Sequence, residues 1–146
     1  MNEMTFESIC AAVKDGAASG VKEAFSVTVT HEMMEKFLAI TGDVNPMHTD
    51  ADYSRANGFK DALVYGLLTT SFYSTLAGVY LPGKHCLLQE VSAQFTKPVF
   101  VGDELTVSGK VIEVQETVRR IVIKARIVNQ DGVTVNRATI TAGVMK

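Results

Sequence analysis

The chain has 146 residues, 47% of them hydrophobic and 21% charged, with a formal net charge of −2. That balance fits one globular domain able to bury a core without metals or disulfides, and it gives no basic field for nucleic acid. Two cysteines, Cys10 and Cys86, make neither a CxxC metal pattern nor a disulfide framework, which favours a reducing cytoplasm.

The opening residues MNEMTFESIC are acidic and lead into no long apolar run, so no secretory signal is read. Residues 5–14 place Phe6, Ile9, Cys10 and Val13 at helical spacing, which predicts a short peripheral helix ending in the loop-forming DGAASG. Residues 1–20 are taken as a helical extension of a single domain covering 1–146. EAFSVTV, residues 23–29, reads as the first strand. Thr30 is placed to cap a helix over 31–40 with Met34, Phe37, Leu38 and Ile40 on one face.

Gly42 releases the chain from that helix into a polar turn carrying Asp43, Asn45 and His48. Pro46 fixes its own φ and keeps Asn45 out of helical geometry, so the backbone between the acid and the imidazole is stiff. A histidine exchanges protons near neutral pH, and a nearby carboxylate can orient it or share the proton traffic. On spacing alone the same residues also read as an ordinary turn with a hydrogen-bonded structural histidine. Thr49 or Asp50 can cap a short helix through Ala56, closed by Asn57-Gly58.

Residues 62–81, ALVYGLLTTSFYSTLAGVYL, carry no charge and are long enough for a bilayer span. Two glycines and five Ser/Thr within the run argue instead for a central helix buried on all sides, ended by Pro82-Gly83. From Leu87 onward four strands are expected: LLQEVSAQF, ELTVSGKVIEV, VRRIVIKARIV and VTVNRATITAGV. Alternation is clearest where Ile121, Ile123, Ala125 and Ile127 oppose Arg120, Lys124 and Arg126. Asp131-Gly132 signals a hairpin, and Pro98 ends the ladder after Phe95. One strand before the helix and four after it give an α+β fold, an antiparallel sheet of about five strands wrapped around one long helix.

With these residues in view, FLAITGDVNPMHTDADYSRA resembles the signature of the MaoC-like hydratases, the (R)-specific enoyl-CoA hydratases of the hotdog fold. The resemblance continues through YGLLTTSFYSTLAG and FTKPVFVGDELTVSGKV. It implies that Asp43 and His48 together activate a water molecule, that the Gly66 N–H polarises a thioester carbonyl, and that Ser74 lines the site. Asn45 is implied to hold and orient the turn. Tyr65 departs from the histidine common before the helix glycine and is expected to alter pocket shape or a supporting hydrogen bond. The implied reaction interconverts a trans-2-enoyl thioester of CoA or acyl carrier protein and the (R)-3-hydroxyacyl thioester, with no metal or other cofactor, in a homodimer.

Two other readings use the same residues. A hotdog thioesterase would polarise the same carbonyl and direct water to the thioester carbon, and a noncatalytic acyl-thioester-binding subunit would leave Asp43 and His48 expendable. A calcium loop starting at Asp43 fails the template, because His48 stands at the position needing glycine and Ser54 at the one needing glutamate. His31 and His85 read as solvated. The cysteines lack a nucleophile motif, and no G-x-S-x-G elbow occurs.

Overall fold

The β-branched and alternating runs build one antiparallel sheet in a computed structural model that describes residues 1–14 and 20–146. Its strands are β1 (Lys22–Thr28), β2 (Cys86–Phe95), β3 (Glu104–Gln115), β4 (Arg120–Val128) and β5 (Thr134–Val144), in the order β1-β3-β4-β5-β2. The expected five strands are all present. Strand alternation sends Val107, Val111, Ile121, Ile123, Ile127 and Ile140 to one buried face, while Lys110, Lys124, Arg126 and Arg137 face outward. The register aligns Phe25, Val107, Ile127, Asn136 and Phe95 in one inward row across the sheet.

The helices are α1 (Phe6–Lys14), α2 (His31–Thr41), α3 (Pro46–Thr49), α4 (Ala51–Ala56) and α5 (Gly66–Thr75), the last continuing as a π-turn over Leu76–Tyr80. Thr30 caps α2 by accepting from the Met33 N–H, and Gly42 ends it at φ 71°, a left-handed stop that a glycine adopts freely. Ile40 does not join the apolar face of α2; it is exposed, and no residue of α2 is fully buried. The short helix expected through Ala56 is α4, capped by the Asp50 side chain, which accepts from the Asp52 and Tyr53 N–H groups, and closed at Asn57; the one-turn α3 before it is an element absent from the sequence expectation. Helix α1 is not peripheral: Phe6 and Ile9 are buried in the core, and Arg119 lies over the Phe6 ring while pairing with Glu7. The loop expected after it at 15–19 lies outside the described residues.

Helix α5 rests on the inner face of the sheet through Leu68, Tyr73, Leu76 and Ala77. Full burial of an aliphatic side chain such as Leu76 contributes about 1.5–3 kcal/mol. The helix departs from the sequence expectation in two ways. It begins at Gly66 rather than near Ala62, because Leu63 N–H donates to the Met47 carbonyl and Val64 N–H to the Val99 carbonyl, which holds 62–65 extended. It is also not buried all round, since Leu67, Ser71, Ser74 and Thr75 are exposed on its open side.

Among the described residues no helix is long and apolar enough to cross a membrane.

Candidate functional site

The turn after α2 is built by its own side chains. Thr41 Oγ1 donates to the Phe37 carbonyl and accepts from the Asp43 N–H. Asp43 Oδ1 accepts from the Asn45 N–H at 3.1 Å, and Asn45 Oδ1 accepts from the Met47 N–H at 2.9 Å, capping α3. These are successive Asx turns, the local chemistry that short polar side chains supply. One oxygen of the Asp43 carboxylate is thereby engaged by backbone.

The single turn of α3 brings His48, two residues after Pro46, against the stretch before α5. His48 Nδ1 lies 2.8 Å from the Leu63 carbonyl. A carbonyl only accepts, so Nδ1 carries the proton and Nε2 of the neutral ring keeps its lone pair. The Leu63 N–H donates in turn to the Met47 carbonyl, so α3 and residue 63 are locked in both directions.

Tyr65 closes the arrangement from the other side. Its ring packs 4.3 Å from the His48 ring and 5.0 Å from the Phe37 ring, and its hydroxyl donates to the Asp43 backbone carbonyl at 2.8 Å. Burial, and then the charge on Asp43, push the Tyr65 phenol above its ordinary value, so it stays a protonated donor. The side chain that replaces the expected histidine thus ties the acid-bearing turn to the start of α5.

Gly66 is the first residue of α5, and no side chain caps this helix. The leading N–H groups of a helix have no partner within it and carry the positive end of its dipole. A side chain at Gly66 would meet the Phe95 ring at 3.0–3.2 Å, so glycine here lets the aromatic ring approach the helix start. Behind it, Thr69 Oγ1 donates to the Gly66 carbonyl at 2.6 Å. The Asn136 amide, fully buried on β5, donates to Thr69 Oγ1 and Thr70 Oγ1 and accepts from the Tyr73 hydroxyl. This buried polar knot pins the first two turns of α5 to the sheet.

Asp43, His48, Tyr65 and Gly66 all line one cleft of about 540 Å³. The remaining walls include Phe37, Phe59, Leu63, Leu67, Phe95 and Val99, so a few polar groups converge in an apolar slot, the usual composition of a small-molecule site. Asn45 is not in the wall but at the turn beneath it. Ser74 is not in the wall either; it is exposed, eight residues beyond Gly66 and about 80° round the helix. No three His, Cys, Asp or Glu side chains among the described residues gather as a metal-ligand set.

Sequence reasoning missed Thr69, Asn136 and the three phenylalanines of the cleft. The phenylalanines come from three distant segments and carry no local signal. Asn136 does carry one, as a polar residue at an inward position of a strand otherwise filled by Ala138, Ile140 and Ala142.

A family model for the MaoC like domain matches residues 16–133. The chain is 36% identical over 96 residues to an (R)-specific enoyl-CoA hydratase of Aeromonas caviae, covering 66% of this chain and 72% of that protein. It is 30% identical over 93 residues to a mitochondrial 3-hydroxyacyl-[acyl-carrier-protein] dehydratase of Arabidopsis thaliana, covering 64% of this chain and only 55% of that one. Among solved structures, the (R)-hydratase of A. caviae involved in PHA biosynthesis superposes with a TM-score of 0.80 at 30% identity, over 84% of this chain and 93% of that one. An unliganded R-hydratase of Pseudomonas aeruginosa gives 0.79 at 28%, over 86% and 80%.

Proposed function

Because the chain belongs to the MaoC-like domain family, we propose that it is a hydratase/dehydratase interconverting a trans-2-enoyl thioester and the (R)-3-hydroxyacyl thioester. The observation that carries this reading is the bond from His48 Nδ1 to the Leu63 carbonyl. It leaves Nε2 as a proton acceptor in a cleft that also holds a carboxylate and the open end of a helix.

In the hydration direction Nε2 takes a proton from water as the water oxygen bonds to C3 of the enoyl group. The C2–C3 π electrons move toward the thioester carbonyl, whose oxygen gathers negative charge opposite the Gly66 N–H and the positive end of α5. A proton returned to C2 completes the addition, and dehydration runs the same steps backward. Asp43 orients the water through the carboxylate oxygen that the Asn45 N–H does not use. Asp43 and His48 act together on the one water molecule. Asn45 holds the turn, and Tyr65 sets the distance between that turn and the helix start.

Two apolar side chains that line the cleft are exposed, Leu67 at 65% and Phe95 at 57%, and Ile40 and Val44, beside the lining residues Thr41 and Asp43 in sequence, are exposed as well. Strand β2 has a ten-residue outer edge that no strand among the described residues pairs with, and Leu87 and Leu88 are exposed on it. Long exposed edges and apolar rims are features that proteins cover. A homodimer joined along β2 would close the cleft over an acyl chain and bring the open side of α5, with Ser74, under a second subunit. Sedimentation of the purified chain as a two-chain species is the expected result.

The reaction is tested by following the enoyl-thioester absorbance of crotonyl-CoA and longer trans-2-enoyl-CoAs while free thiol is monitored. Loss of the band without thiol release is expected, with the loss abolished in Asp43→Asn. Thiol release would make the protein a thioesterase. Binding of the acyl thioester with no turnover of any substrate would make it a noncatalytic subunit.

A further inference from the structure

The outer face of the sheet carries a charge pattern that the cleft does not use. Register places Lys22 on β1 opposite Lys110 on β3, and Lys110 opposite Lys124 on β4. One row along, Arg126 on β4 stands opposite Arg137 on β5. All five are exposed, and none forms an ion pair with any described residue; Arg137 Nε donates only to Gln94.

Like charges directly across an antiparallel pair destabilise it, and the sheet accepts two such pairs among the lysines and a third between the arginines. The chain as a whole is at −2, so this face is not the overflow of a generally basic protein. The carboxylates on the face are Glu104, two rows beyond the arginines, and Glu90 and Glu113, in the row next to the lysines. Glu23 also borders the cations but accepts from the Asn2 amide, and none of the four forms an ion pair with the five cations.

These cations line a shallow trough of about 1040 Å³, and Thr96 lines both this trough and the cleft. The basic field therefore starts at the rim of the site, where Arg137 is paired with Gln94 beside Phe95. We infer that this face is a docking surface for an acidic protein, the carrier that presents the acyl thioester to the cleft. The inference rests on the thioester hydratase reading above.

The layout selects a protein over other anions. Strands lie about 4.8 Å apart, so the lysine row alone is roughly 10 Å wide and does not converge on one phosphate. Five separate exposed heads match scattered carboxylates, which steer an encounter and fix its orientation. The side chains interleaved with them, Ala24, Ser92, Ser108 and Thr139, include no aromatic on which a base could stack.

The test compares kcat/KM for a crotonyl group on an acyl carrier protein and on CoA, at low and high salt, in wild type, Lys110→Glu/Lys124→Glu and Arg126→Glu/Arg137→Glu. The carrier-linked rate is expected to fall about ten-fold or more in either variant at low salt, with the CoA-linked rate changed by less than about two-fold. Lys110→Gln/Lys124→Gln, which only relieves repulsion in the fold, should show a smaller loss in the same direction and guards against misfolding of the reversed variants.

Equal losses on both substrates would assign the cations to the phosphates of CoA, and an unchanged carrier rate or a wild type inactive on the carrier would also overturn the inference. So would a change in sedimentation of the variants, which would make the face a contact between copies of this chain, or duplex DNA binding lost in the variants while carrier kinetics stayed the same. Wild type inactive on crotonyl-CoA as well would instead defeat the hydratase reading itself.

Discussion

The two ends of α5 are built on opposite plans. At the far end the π-turn closes on itself and on its surroundings: the Leu81 N–H donates to the Leu76 carbonyl, the Gly83 N–H to the Ala77 carbonyl and the Asn2 N–H to the Val79 carbonyl. Leu76 and Ala77 are fully buried there. At the near end no side chain caps the helix, the first residue is a glycine, and the walls are the acid, the imidazole and a ring of aromatics. The satisfied end holds the fold; the unsatisfied end faces the cleft. A helix terminus left without a cap forgoes about 0.5–2 kcal/mol, and the buried knot of Asn136, Thr69, Thr70 and Tyr73 behind it keeps that terminus in place.

If this division is right, substitutions at the two ends should separate activity from stability. The largest effect is expected for His48→Gln. A glutamine amide can still donate to the Leu63 carbonyl but cannot accept a proton at the Nε2 position, so kcat for crotonyl-CoA hydration should fall about 10²–10⁴-fold. Its urea midpoint should stay near wild type, and a variant that lost both would place His48 with the structural end instead.

Leu76→Ala is the converse. It removes a fully buried side chain and should cost about 2–5 kcal/mol in urea unfolding, with kcat per folded molecule kept. A loss of kcat without loss of stability would mean that the far end takes part in the reaction.

The smallest effect sharpens the comparison at the join between the two ends. Tyr73→Phe removes the hydrogen bond to Asn136 and is expected to cost about 1 kcal/mol at neutral pH. Burial raises the Tyr73 phenol far above its ordinary range. A raised folded value means stability complete below the unfolded tyrosine value of about 10 and lost as pH rises through and beyond it. The alkaline limb of stability against pH should therefore be shallower in Tyr73→Phe than in wild type.

Much of this was legible in the sequence, and the part that was not has a common cause. Helix stops and caps such as Thr30 and Gly42, and the alternation of Ile121, Ile123, Ala125 and Ile127, are local, and the structure carries them as expected. Asp43, Asn45 and His48 were conspicuous because a rigid turn between apolar segments is itself a local pattern. The start of α5 was not legible, because residues 62–65 have the composition of the helix that follows. They are held out of it by partners at Met47, His48 and Val99 that only the folded chain supplies. Ser74 shows the same limit from the other side: its helical position is clear from sequence, but which way that part of the helix faces depends on how the whole element sits on the sheet.

The most direct measurement compares Gly66→Pro with Gly66→Ala. Proline is accepted at the first helical position, and Tyr65 already has the extended backbone, φ −55° and ψ 124°, that precedes a proline. Both variants crowd Phe95, but only proline removes the N–H. The account predicts that Gly66→Pro loses about 10²–10³-fold in kcat beyond whatever Gly66→Ala loses, with both remaining folded. Equal kcat in the two folded variants would contradict it, because the backbone N–H at the open end of α5 would then have no part in polarising the thioester.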